Sequence, residues 1–231
     1  MSAFFITSCG TEIGKTLVTS ALCRQLRKKG RAVKALKPVI SGYDAETASE
    51  SDTYLLLDAL GSPIDEETIA GISPWRFKQA LSPDMAAERD GRSIPYDELI
   101  SFCRKAIVQN TGTLLIEGVG GVMVPLGGPR TVLDWASDLK IPALLVTGSY
   151  LGSLSHALTA VKALESGGVP LAGVVVSESE ECPVPVEETV ATLVRLLPGI
   201  SIVSVPRQQG EIDWSAVPDL TELVNGIHKA S

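Results

Sequence analysis

Lys15 and Thr16 close the stretch SCGTEIGKT, residues 8–16, directly after Gly14. A lysine and a hydroxyl in this order suit one task well. The ammonium reaches the terminal phosphates of a nucleotide, and the hydroxyl reaches a bound Mg²⁺. The usual loop, G-x-x-x-x-G-K-[ST], needs a glycine where this chain has Cys9, and Gly10 falls one place too late. The neighbouring elements decide between a phosphate cradle and a plain turn with an exposed lysine. AFFIT, residues 3–7, is a short apolar run that enters the loop. GKTLVTSALCRQLRKKG, residues 14–30, leaves it with Leu17, Ala21, Leu22 and Leu26 near helical spacing, and Gly30 ends it after a basic last turn. A strand–loop–helix context leaves the first helical N–H groups unpaired, and the helix dipole adds positive charge there. Together these favour phosphate. Glu12 lies among those amides with a charge that opposes phosphate. Its backbone, not its carboxylate, is expected to face the anion, unless the carboxylate approaches the metal.

Other residues bear chemistry at strand ends. Glu117 closes the apolar run in GTLLIEGVGG. A carboxylate there can hold Mg²⁺ beside Thr16, because Mg²⁺ takes only a few protein oxygens and keeps phosphate and water for the rest. Gly118, Gly120 and Gly121 follow it and allow close backbone approach to a ligand. Asp52 precedes TYLLLDAL and is either a second carboxylate for the metal or the N-cap of that helix. Lys37 precedes Pro38, which holds it extended; unaided, it reads as a solvated strand-end lysine. His156 lies in an apolar helical stretch and reads as a hydrogen-bonded core residue.

The elements that must position these groups alternate. RAVKALKPV, the run ending at Glu117, IPALLVTG, LAGVVVS and Ile200 to Val205 read as further strands. Their continuous apolar character suits strands buried on both faces. Helices are expected at 96–110, 152–166, 184–197 and 219–228. Residues 41–95 break the rhythm and read as long polar loops with short helices. The pattern predicts an α/β fold, a doubly wound, mostly parallel sheet flanked by helices of the P-loop nucleotide-hydrolase kind. With 231 residues and no evident linker, one domain spanning 1–231 is expected. The net charge of −7 argues against nucleic acid or an anionic membrane as a bulk electrostatic partner. Four cysteines with no C-x-x-C spacing argue against zinc and disulfides. MSAFFITSCG lacks a basic n-region, and no apolar stretch approaches the roughly 20 residues of a membrane span. A cytoplasmic protein is expected.

Four motifs in order resemble dethiobiotin synthetase. TEIGKT fits that family's loop, one residue longer than usual, with Ser8 where its first glycine would be. KPVISG (37–42), EGVGGVMVPL (117–126) and LGSLSHAL (151–158) are similar to its other signatures, and SPDMAAERDG (82–91) is weakly so. The resemblance spans roughly residues 3 to 205. It implies an ATP- and Mg²⁺-dependent ligase. The enzyme closes 7,8-diaminopelargonate and carbon dioxide into dethiobiotin, through a carbamate that attacks the γ-phosphate. Lys37 and Lys15 are then catalytic, and Ser41 and Thr11 face the substrate. Thr16, Asp52 and Glu117 hold Mg²⁺. Nucleotide contacts extend over Glu12, Ile13, Gly14, Lys15, Thr16 and Leu17, and over Asp52, Glu117, Gly118, Val119 and Gly120. The base would lie against Ser177 and the loop Pro206, Arg207 and Gln208. The resemblance also implies a homodimer with the substrate near the subunit interface. Ser177 and Ser155 stand where the family often has asparagine, and a family tyrosine has no match near Thr189. The rivals are another Mg-ATP enzyme of the same P-loop branch, cobyrinate amidase-like or partitioning-type, and a non-catalytic regulatory relative. Partitioning ATPases carry an extra lysine early in the loop, which SCGTEIGKT lacks.

Overall fold

The apolar runs set the strands. In the computed structural model, which describes residues 2–47, 49 and 51–225, the first run becomes β1 (Ser2–Ser8) and the helix after the glycine loop becomes α1 (Lys15–Lys28). The chain continues through β2 (Val33–Leu36), β3 (Val39–Ser41), α2 (Asp52–Leu60), α3 (Glu66–Ile72), β4 (Trp75–Phe77), α4 (Pro83–Arg89) and α5 (Tyr96–Gln109). It then forms β5 (Thr113–Glu117), the hairpin β6 (Pro125–Gly127) and β7 (Arg130–Thr131), and α6 (Val132–Leu139). The last elements are β8 (Ala143–Thr147), α7 (Ser153–Ser166), β9 (Leu171–Ser177), α8 (Val186–Leu196), β10 (Ile202–Val205) and a 3-10 turn at Thr221–Val224.

Among the described residues, six strands pair in the order β10-β9-β8-β1-β5-β2, every pair parallel. This is the doubly wound sheet the sequence predicts. The succession of strands reverses around β1, which lies between β5 and β8. Such sheets bind ligands outside the carboxyl ends of the strands at that switch point.

Alternating side chains serve two cores, because successive strand residues face opposite sides. Phe5, Leu114, Ile116, Leu145 and Val174 pack beneath α5, α6, α7 and α8, and Phe5 meets Trp135 edge-on at 5.0 Å. Phe4, Ile6, Leu115, Val146 and Val175 pack against Leu22 and Leu26 of α1, Leu56 of α2 and Val224 of the 3-10 turn. Both faces are covered, so the strands read as unbroken apolar runs.

Two expectations need correction, and further elements were not foreseen. RAVKALKPV is not one strand. Pro38 cannot donate to a ladder, and the chain leaves the main sheet after Leu36. Lys37 N–H then bonds to Ile72 O at 3.0 Å, and β3 pairs with β4 in a separate parallel ribbon. The segment 41–95 holds the short helices expected of it, α2, α3 and α4, and adds the strand β4. Helix α6 was not foreseen; its sequence signal is the capping box between Thr131 and Asp134. At 219–228 the described part is the 3-10 turn, and residues beyond 225 lie outside the described ones.

Candidate functional site

The loop from Cys9 to Gly14 joins the end of β1 to the start of α1, at the switch point. Gly14 is left-handed at φ 94°, and α1 has no side-chain cap and no acidic residue in its first turn. Its first N–H groups are therefore left to a ligand. A methyl group on Gly14 would lie 2.6 Å from Ser177 Oγ. Glu12 is exposed and also left-handed, at φ 58°, a conformation that non-glycine residues hold at a cost of about 1–3 kcal/mol and that clusters at functional loops.

Ser8 has a role that its place in the motif did not suggest. It is fully buried at the end of β1. Its Oγ lies 2.5 Å from Gly10 O and 3.0 Å from Gly120 O, and accepts from Lys15 Nζ at 3.1 Å. The hydroxyl thus ties the phosphate loop to the loop after β5 and seats the lysine. Lys15 Nζ also lies 3.5 Å from Gly10 O. Burial, together with repulsion from Lys37, pulls the Lys15 ammonium down to about 8, against the attraction of Glu117 and Asp52. A cation held this way is under-solvated and suited to receive an anion.

The second cluster follows from strand register. Leu36 of β2 pairs with Ile116 of β5, so the next residues, Lys37 and Glu117, meet at the carboxyl edge. Lys37 Nζ donates to Glu117 Oε1 at 2.6 Å and lies 2.9 Å from Asp52 Oδ2. Thr16, on the first turn of α1, donates its hydroxyl to the same Oε1 at 2.8 Å. Lys37 is 3% exposed and Glu117 0%, so the solvated-lysine expectation is wrong. Burial alone would lower the Lys37 ammonium, but the two carboxylates overcome it and hold the group above the ordinary lysine range. Burial likewise opposes the Asp52 carboxylate, and Lys37 wins and keeps it below its usual value. Asp52 is not the N-cap of α2. Ser51 is, accepting from Tyr54 N–H at 3.2 Å, which leaves the Asp52 carboxylate for the cluster.

These groups fit a divalent cation. Glu117 Oε2 is buried with no hydrogen-bond partner among the described residues. An orphaned carboxylate oxygen beside a hydroxyl and a second carboxylate is a donor set for Mg²⁺. Among the described residues no group of three or more His, Cys, Asp or Glu could hold a metal by itself.

Two clefts, each about 690 Å³, share the loop residues Thr11, Glu12, Ile13, Gly14 and Leu17. One adds Lys15, Thr16, Lys37, Ser41, Asp52, Val119 and Gly120. The other adds Ser177, Arg207 and Gln208, with Pro206 O accepting from the Gln208 amide. Most of the residues singled out from sequence thus converge on two adjoining hollows, each within the size range of ligand pockets. Gly118 does not line them. Its N–H bonds to Ile6 O, and a Cβ there would press on the Phe5 ring at 3.1 Å. His156 is corrected: it is exposed, bonded through Nδ1 to Tyr150 OH at 2.8 Å, and lines the second cleft. Sequence reasoning missed Ala80, Leu81 and Pro83 in the first cleft and Tyr150, Glu178 and Glu180 in the second. The signals were Pro83 opening a helix and a polar run after LAGVVVS.

Gly121 tests the junction of the two loops. A Cβ there would stand 3.1 Å from the backbone of Cys9 and Gly10. Gly121→Ala is expected to push the phosphate loop outward by a few tenths of an ångström, a misplacement that weakens catalysis well out of proportion to its size. Isothermal titration with ADP should show looser binding at unchanged helical content. Unchanged affinity would show that this junction does not set the loop.

A family model described as an AAA domain matches residues 2–212. The chain is 48% identical over 221 residues to the ATP-dependent dethiobiotin synthetase of Acidiphilium cryptum, covering 94% of this chain and 96% of that one. It is 49% identical to the ATP-dependent dethiobiotin synthetase of Methylobacterium nodulans, covering 91% and 95%. Among solved structures, the MinC:MinD cell division complex of Aquifex aeolicus is similar with TM-score 0.58 and 14% identity, covering 94% of this chain and 85% of that one. That likeness concerns the fold alone.

Proposed function

This chain belongs to the family of ATP-dependent dethiobiotin synthetases, and we propose that it uses ATP and Mg²⁺ to close 7,8-diaminopelargonate and carbon dioxide into dethiobiotin, in biotin synthesis. The reading is carried by one observation. A buried lysine, Lys37, paired with two carboxylates, lines the first cleft beside the phosphate loop. One amine of the substrate takes up carbon dioxide and loses a proton, giving a carbamate. The carbamate oxygen attacks the γ-phosphorus, and ADP departs. The neighbouring amine then attacks the carbamoyl carbon, the ring closes and phosphate leaves.

The chain's own groups have separable tasks in this scheme. Two anions must meet, so fixed positive charge is needed where they do. Lys15 would hold the terminal phosphates, and Lys37 would face the charge passing between carbamate and phosphate. Ser41 and Thr11 line the hollow where the substrate would sit, and Ile40, Leu81, Pro83 and Val124 give it an apolar wall suited to an aliphatic chain. Thr16, Asp52 and Glu117 would hold Mg²⁺, which when bound offsets phosphate charge. Ser177, Pro206, Arg207 and Gln208 would border the base. We read the protein as one domain, cytoplasmic and homodimeric. In support, no helix among the described residues is long and apolar enough to cross a membrane, and all four cysteines are free thiols.

A product assay by mass, with bicarbonate, ATP and the diamine, tests the reaction. No dethiobiotin from folded enzyme rejects it. The metal roles make a further prediction: Asp52→Asn and Glu117→Gln should each raise the Mg²⁺ concentration for half-maximal activity. Wild-type Mg²⁺ dependence in both variants would make the carboxylates structural.

A further inference from the structure

The roles assigned to Lys37 and to the two carboxylates conflict in the structure as it stands. The ammonium that would serve the substrate is bonded to one oxygen of each carboxylate that would serve the metal, at 2.6 Å to Glu117 Oε1 and 2.9 Å to Asp52 Oδ2. It is almost wholly buried there. A divalent cation cannot take these oxygens while an ammonium holds them, because two like charges would share one small low-dielectric space. Without any cation, two carboxylates, one of them fully buried, would face each other uncompensated, which is strongly destabilising.

We propose that Lys37 is the resident cation of the metal site, and that metal loading exchanges it out toward the substrate hollow. This builds on the reading of Asp52 and Glu117 as Mg²⁺ ligands. The exchange has somewhere to go. Lys37 borders the hollow that also contains Ser41 and Ser82, and its ammonium sits on a flexible four-carbon stem. Lys15 is not the exchanging group. Its ammonium is tied to Ser8 Oγ and Gly10 O, and among the described residues it forms no ion pair with either carboxylate. The Thr16 hydroxyl and the orphaned Glu117 Oε2 remain as the first oxygens a metal would meet. The consequence is an order of events. Lys37 is neutralised by its own protein until metal arrives, so the anionic carbamate meets a free ammonium only in the metal-loaded enzyme.

Mn²⁺ is the probe, with free ion counted by electron paramagnetic resonance in nucleotide-free protein. Lys37→Met should bind Mn²⁺ at least about ten-fold more tightly than wild type, a difference of about 1.4 kcal/mol. Lys15→Met removes an equal charge nearby and should change the affinity far less. Equal tightening in both variants, or none in Lys37→Met, overturns the exchange. Should Lys37→Met fail to fold, wild-type protein carrying ¹³C-labelled lysine ε-carbons supplies the second measurement. The Lys37 resonance, assigned by its loss in Lys37→Arg, should move when Mg²⁺ joins bound ADP. A Lys37 resonance unmoved by metal overturns the proposal even where dethiobiotin is formed. A moved resonance in enzyme that makes no dethiobiotin upholds it while rejecting the assigned reaction.

Discussion

Lys15→Ala is expected to abolish turnover while leaving the fold intact. The lysine is buried at the first turn of α1, seated on Ser8 Oγ and Gly10 O, with the uncapped N–H groups of the helix around it. Losing one positioned, charge-assisted donor in a water-poor site typically costs about 2.7–4 kcal/mol of barrier, a factor of roughly 10²–10³ in kcat. Here the lost group also carries a full charge. The fold should survive because α1 packs through Val18, Leu22 and Leu26. The buried ammonium is itself held below its ordinary range, chiefly by desolvation. Folding therefore disfavours its charged form, so losing the charge is not expected to unfold the protein. Steady-state turnover, ADP titration and circular dichroism on one preparation separate the outcomes. Near-normal turnover would sink the assignment of this loop as the nucleotide site.

What could be read from sequence follows from what is local. β1, α1 and the loop between them were legible because apolar periodicity and a glycine–lysine–threonine run are contiguous in the chain. The parallel, doubly wound character of the main sheet was legible, since strands buried on both faces are unbroken apolar runs. Contacts between distant segments were less so. That Lys37 is buried depends on the pairing of Leu36 with Ile116, about 80 residues apart, and no local pattern encodes it. Ser8 looked like a missing glycine, and its tie to Gly120 exists only once β1 and β5 lie side by side. Asp52 was legible as a helix-start residue but not as a partner of Lys37, because Ser51 takes the cap one place earlier. His156 was misjudged for the opposite reason. An apolar helix has an outer face too, and the first turn of α7 presents it to the cleft.

Lys37→Gln separates a bonded structural lysine from one that acts on the reaction. Gln keeps a donor near Glu117 but loses the charge. If Lys37 serves only to compensate Asp52 and Glu117, the variant loses stability and keeps its chemistry, since breaking a buried pair leaves an unbalanced charge. If its ammonium meets the charge passing from carbamate to phosphate, the loss falls on the transition state. Then kcat and kcat/KM fall together, by roughly 10²–10³, with nucleotide affinity nearly kept. The metal-exchange scheme sharpens this, because Gln removes the charge that competes with metal for the carboxylates and so is not expected to slow the reaction by weakening metal binding. Single-turnover phosphate release, with the diamine and with or without bicarbonate, provides the readout. In wild type, release should require both, because only a carbamate route consumes carbon dioxide before phosphate is made. Release that ignores both would reject the synthetase reading. Unchanged release in Lys37→Gln would return the lysine to a purely structural role and leave only the nucleotide loop as functional.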